Sequence, residues 1–173
     1  MRSIFLTLVF LVANIAHAQE SPLISQAIDT LSNLITDGNA VEFKKARTVL
    51  KLDKASDRVV VFFTMEGFGG GNSYEFYMAL LAPAYEKIGE GGAVKKSKAA
   101  PIRYQLLAYA QVGRKGWRHV DFSQVLKTKR GIKIHAYEYA NDDPMCCPKK
   151  DIWVEYEFTS GSLIEIRGAS TAN

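Results

Sequence analysis

Cysteine is scarce in this chain: two residues of 173, adjacent at Cys146 and Cys147. That excludes the disulfide lattice that holds many small secreted folds together, so the chain must rely on an apolar core. Histidine is scarce too. His119 and His135 are the only ones beyond the first 18 residues, and their spacing is not that of a zinc site. Long apolar runs are absent. The run Ile4 to Val12 is broken by Thr7 and falls well short of the ~20 residues that span a bilayer. Neither a G-x-S-x-G turn nor the lysine of a phosphate-binding loop occurs. There is no internal repeat and no low-complexity segment. A strong charge of one sign is lacking as well: 22 Lys/Arg against 18 Asp/Glu leave +4. Nucleic-acid binding would need a clustered basic face, and only short clusters occur, at Lys95 to Lys98 and at Lys127 to Arg130. Such clusters read as solvated loops, or as contacts to anionic envelope material or an acidic partner.

The first 18 residues have the layout of a secretory signal. Arg2 supplies the positive end, Ile4 to Val12 the apolar run, and Ala16-His17-Ala18 the small-x-small cleavage site. Cleavage after Ala18 leaves residues 19–173, the size of one exported domain. No cysteine follows the apolar run, so release into the periplasm or medium is expected rather than lipid anchoring.

Residues 19–37 read as a helix. Ser21 can cap it, Pro22 suits its first turn, and Gly38 can stop it. Ile24, Ala27, Ile28, Leu31, Leu34 and Ile35 recur at three- and four-residue steps, giving one apolar face to bury. Residues 40–46 are ambiguous and compatible with a second short helix. The period then changes to two. Strands are expected at 47–52, 59–65, 74–81, 102–112, 118–127, 132–139, 152–158 and 163–167. The run Val59 to Met65 is apolar throughout and reads as a central strand buried on both faces. No βαβ alternation occurs. The expected fold is α+β: an N-terminal helix packed on a curved, mostly antiparallel β meander of about eight strands.

The loop between the strands at 132–139 and 152–158 carries Asp142-Asp143-Pro144-Met145-Cys146-Cys147-Pro148. Adjacent α-carbons lie ~3.8 Å apart across a trans peptide, whereas disulfides prefer ~4.4–6.8 Å. A bond between neighbours is therefore strained and closes almost no loop. Three readings stay open: a vicinal disulfide that stiffens the loop, two separately used thiols including intermolecular pairing, and a redox-active or metal-binding pair. The run Asp143 to Pro148 resembles the motif of uncharacterised exported bacterial proteins that include the LppP/LprE lipoprotein family. The resemblance covers the C-terminal half and implies export and an all-β core. This chain departs from that family in having no lipidation cysteine, and the family carries no activity to transfer.

Other constellations have plainer readings. Phe68, Gly69, Gly70, Gly71 and Asn72 form a hairpin loop that could also be a binding loop. His119 and His135 are candidate general bases, with Asp121 or Glu138 near in sequence, or surface and strand-edge residues. Glu155 and Glu157 share a strand face with Trp153; paired acids beside an aromatic suggest a sugar site, but the solvated outer face of an amphipathic strand explains them better by its period of two. Tyr104, Tyr109, Trp117, Tyr137, Tyr139 and Trp153 divide between core and a possible recognition patch. No metal and no cofactor is expected. The chain reads as a non-enzymatic binding or accessory protein, inhibitor- or immunity-like, for an envelope protein or cell-wall component. The alternative is a thiol-dependent redox protein using Cys146 and Cys147.

Overall fold

The computed structural model describes residues 20–52, 57–86, 100–144, 147–159 and 161–166. The expected signal, the cluster Lys95 to Lys98, Met145, Cys146 and the chain end from Arg167 lie outside these residues.

The helix α1 spans Pro22–Ile35. Ser21 caps it, its Oγ accepting from the Leu23 N–H at 3.3 Å, with proline in the first turn. The chain then forms β1 (Val41–Glu42), a 3₁₀ turn (Lys44–Ala46) and β2 (Thr48–Lys51). Seven longer strands follow: β3 (Val59–Phe68), β4 (Ser73–Ala84), β5 (Arg103–Arg114), β6 (Arg118–Lys127), β7 (Gly131–Glu138), β8 (Lys150–Thr159) and β9 (Ser162–Ile166). The antiparallel meander holds, with nine strands among the described residues rather than about eight. The extra one, β1, falls where the sequence was ambiguous between helix and coil. Strand β4 also runs past the expected 74–81 span, through Pro83 and Ala84.

The sheet order is β1-β3-β4-β5-β6-β7-β8-β9, with β2 paired to β3. Every pairing is antiparallel. Strands β5 and β6 share a single register pair, Arg114 with Arg118, so the sheet turns sharply there. It curls far enough that β9 returns beside β5.

Two cores result from alternation along the strands. Val60 and Phe62 of β3 and Phe76, Met78 and Leu80 of β4 face Val120, Ile132, Ile134, Ala136, Val154 and Tyr156 of β6–β8. On the opposite side, Val59, Val61, Phe63 and Met65 share a cluster with Ile24, Ile28 and Leu31 of α1. Strand β3 is thus buried on both faces, as its apolar run predicts. Each fully enclosed side chain such as Phe62 contributes about 2 kcal/mol. Gly131 lets β7 approach β8 closely: a Cβ there would lie 1.8 Å from the Tyr156 carbonyl oxygen.

Candidate functional site

The hairpin of β7 and β8 brings together most of the residues that the sequence singles out. Its connecting loop is organised by one aspartate. The Asp143 side chain is 4% exposed, and its Oδ2 accepts from the N–H groups of Ala140 at 2.9 Å and Lys149 at 3.0 Å. These bonds, the Ala140 one foremost, hold its carboxyl below the usual range against the opposing effect of burial. An aspartate side chain that takes over backbone donors is how such a turn closes without further strand pairing. The Cys147 N–H donates to the Pro144 carbonyl at 2.9 Å. Cys147 is exposed. Asp142 and Pro144 are exposed and Pro148 is half-buried. Met145 and Cys146, the other motif residues, fall outside the described residues.

On the outward face of the hairpin, His135 pairs in register with Trp153 on β8 and with Asp121 on β6. Its ring lies 4.8 Å from that of Tyr137 and 5.2 Å from that of Trp153. Its Nε2 is 3.1 Å from Asp151 Oδ1, and only 6% of the side chain is exposed. Its Nδ1 is buried with no hydrogen-bond partner among the described residues. Trp153 above it is 42% exposed. Asp121 faces the same way but is engaged within β6, accepting from the Ser123 N–H, the Ser123 hydroxyl and Gln124 Nε2. Burial pushes its carboxyl up, and those hydrogen bonds outweigh it and hold it low. They close a bulge, since the register passes from Asp121 opposite His135 to Val125 opposite Ile134.

The expected partnerships are rearranged. The carboxylate on His135 is Asp151, which sequence proximity did not suggest. Glu138 turns instead to Arg118 and Lys150, at 3.1 and 3.2 Å. His119 is an exposed residue whose ring sits edge-on to Phe76 at 5.1 Å, and partial desolvation of the imidazole lowers its pKa. Glu155 and Glu157 are each matched across the strands, to Lys133 at 3.4 Å and Arg130 at 2.7 Å, as solvated outer-face pairs are. The other expected loop lies elsewhere. Phe68 packs partly against the α1 cluster, and Asn72 Oδ1 accepts from Lys115 Nζ at 2.7 Å. Gly69 adopts φ +66° while its N–H donates to Asp37 Oδ2 at 2.7 Å.

Two charged clusters have no sequence signature. Arg118, 3% exposed, contacts Glu138, Glu165, the Tyr156 hydroxyl and the Val112 carbonyl, and its guanidinium lies 4.7 Å from the Trp117 ring. Its Nε is buried without a partner among the described residues. Arg47 joins Glu20, Ser25 and Asp29 to Glu42 of β1. The residues in each cluster are too far apart in sequence for spacing to disclose them. Among the described residues, no group of three His, Cys, Asp or Glu side chains is placed to hold a metal ion. No helix of the described residues is long and apolar enough to cross a membrane. No family model, curated protein or solved structure matches the chain.

Proposed function

We propose that the chain is an exported, non-enzymatic binding or accessory protein, inhibitor- or immunity-like, acting on an envelope partner through the outward face of the β7–β8 hairpin and its motif loop. One observation carries this reading. Trp153 and Tyr137 flank His135, whose buried Nδ1 has no partner among the described residues. An unmatched buried nitrogen costs about 1–3 kcal/mol. A partner that moves the half-exposed Trp153 aside gains apolar contact and supplies the missing hydrogen bond together. Aromatic side chains with an adjacent polar handle are what interface centres use. The buried charges at Arg47 and Arg118, by contrast, are engaged in holding strands and helix together.

Export by cleavage after Ala18, and the kinship of Asp143 to Pro148 with the LppP/LprE family, belong to the same proposal. So does pairing of Cys146 with Cys147. A stiffened loop would then present the hairpin face in one orientation. Periplasmic extract passed over the immobilised wild-type chain should retain a partner that Trp153→Ala and Tyr137→Ala lose. Repeated extracts with nothing retained, or retention indifferent to both substitutions, would overturn the reading. The redox alternative predicts that Cys146→Ser/Cys147→Ser abolishes the cellular phenotype; an unchanged phenotype excludes it.

A further inference from the structure

The charges on the outward face of β6, β7 and β8 fall into two kinds. Lys133 with Glu155 and Arg130 with Glu157 are matched pairs, at 3.4 and 2.7 Å. Asp121 and Asp151 are different: among the described residues, neither is paired with a lysine or an arginine. Asp121 accepts only from neutral donors, the N–H and hydroxyl of Ser123 and the Gln124 amide. Asp151, 64% exposed, meets His135 Nε2 at 3.1 Å. Asp121 opposes His135 from β6, and Asp151 reaches it from β8. Two carboxylates therefore converge on one imidazole from either side.

The imidazole between them has a need of its own. A carboxylate only accepts, so His135 turns an N–H toward Asp151 at Nε2, and the neutral ring then presents Nδ1 as an acceptor. That nitrogen is buried without a partner among the described residues, on a side chain only 6% exposed. All three groups thus call for a donor, and two of them for a positive one. Trp153 opposes His135 on β8, its ring 5.2 Å from the imidazole. Strands lie ~4.8 Å apart, so Asp121, His135 and Trp153 span ~10 Å, within reach of one long side chain. A sugar would bring acceptors as well as donors and leave both charges uncompensated. An ammonium is compact and strongly hydrated, whereas a guanidinium spreads five donors over a plane that stacks on indole.

On the reading that the hairpin face binds an envelope partner, we infer that the partner's anchor is an arginine side chain, its guanidinium held between Trp153 and His135 by Asp121 and Asp151. As Trp153 moves off His135, the guanidinium plane stacks on the indole. One N–H reaches Nδ1, and the other donors meet the two carboxylates. Charge complementarity selects this occupant. The whole chain carries +4, so a basic segment is repelled by the surface at large and drawn to its one acidic, aromatic spot on this face.

Titrating acetyl-Gly-Arg-Gly-amide into the isotope-labelled chain tests this. The readout is the nuclear magnetic resonance signal of the Trp153 indole N–H, assigned by its loss in Trp153→Phe. A saturable shift is expected, with a Kd of roughly millimolar order for so small a probe. Asp151→Asn and Asp121→Asn should each raise that Kd about fivefold or more. Glu66→Gln, the same change of charge at an exposed residue of β3, should leave it unchanged. The citrulline peptide, alike in shape but uncharged, should not bind, and the lysine peptide should bind more weakly than arginine. No saturable shift overturns the inference, as does equal binding of citrulline or lysine, or indifference to both asparagine substitutions. So does a trimer of N-acetylglucosamine that shifts the indole where the arginine peptide does not. Excess arginine peptide should also release the partner retained from periplasmic extract. A retained partner that needs Trp153, yet is neither released by the peptide nor weakened by Asp151→Asn, overturns the arginine anchor and leaves the hairpin face standing. Peptide binding with nothing retained from repeated extracts does the reverse.

Discussion

Arg47 and Arg118 are both enclosed, with 2% and 4% of their side chains exposed, yet their surroundings differ. Arg47 uses all its donors: Nε and Nη2 fork onto Glu42, Nη1 reaches Glu20 and Ser25, and Nη2 also meets Asp29. Its chief partner, Glu42, is only 3% exposed. Arg118 leaves Nε unmatched among the described residues, and its carboxylates Glu138 and Glu165 are 28% and 24% exposed. The first cluster is closed and fully satisfied, and it joins α1 to β1 at the edge of the sheet. The second is open to water on one side and draws β5, β6, β7, β8 and β9 to one point. A buried ion pair is judged by what remains when one member is removed. Closure, more than the number of bonds, therefore sets the cost of losing each arginine.

The comparison breaks most directly at Arg47. Arg47→Met should lower stability by about 4 kcal/mol in urea denaturation at neutral pH, because the Glu42 carboxylate is left buried and unpaired. Arg118→Met should cost about 2 kcal/mol, since Glu138 and Glu165 can rehydrate and the unmatched Nε goes too. Equal losses, or the reverse order, would show that closure is not what matters. The two clusters share no residue, so the double variant should lose the sum within about 0.5 kcal/mol. The smallest effects come from single carboxylates. Glu138→Gln leaves Arg118 one carboxylate, Glu165, whereas Asp29→Asn leaves Arg47 two, Glu20 and Glu42. The first should cost roughly 1 kcal/mol and the second less.

Acid sharpens the same contrast. Burial pushes the Asp29 carboxyl up, but hydrogen bonds from Lys44 and Arg47 outweigh it; at Glu138 the bonds from Arg118 and Lys150 do likewise, so both sit low. A carboxyl depressed on folding stabilises above its unfolded value, and that contribution is lost as pH falls through the folded one. Stability should therefore decline on acidification below the ordinary values of 4.5 for Glu138 and 3.8 for Asp29. A urea midpoint series across that range should flatten more in Glu138→Gln than in Asp29→Asn.

The sequence disclosed what depends on near neighbours. The three- and four-residue steps from Ile24 to Leu31 located α1, and alternation along Ile132 to Ala136 assigned the inner face of β7. Short turns made successive strands neighbours, which is why the order from β3 to β9 follows the chain. Two residues of β1 beside a 3₁₀ turn were too few to show a period. The bulges at Leu107 and after Asp121 left no mark, since they depend on which strand lies opposite. The charged clusters were invisible for the same reason: Glu20 and Arg47 lie 27 residues apart, and Arg118 and Glu165 lie 47. At the hairpin, the motif loop and His135 were legible as residue types. Asp151 as the partner of His135 required the register.

Strand β3 gives its alternate side chains to two different cores. Neither core can melt while the other persists, because loosening β3 for one removes Val60 and Phe62 or Val59, Val61, Phe63 and Met65 from the other. Heating should then produce a single calorimetric peak, with no half-folded species lingering between native and denatured chain.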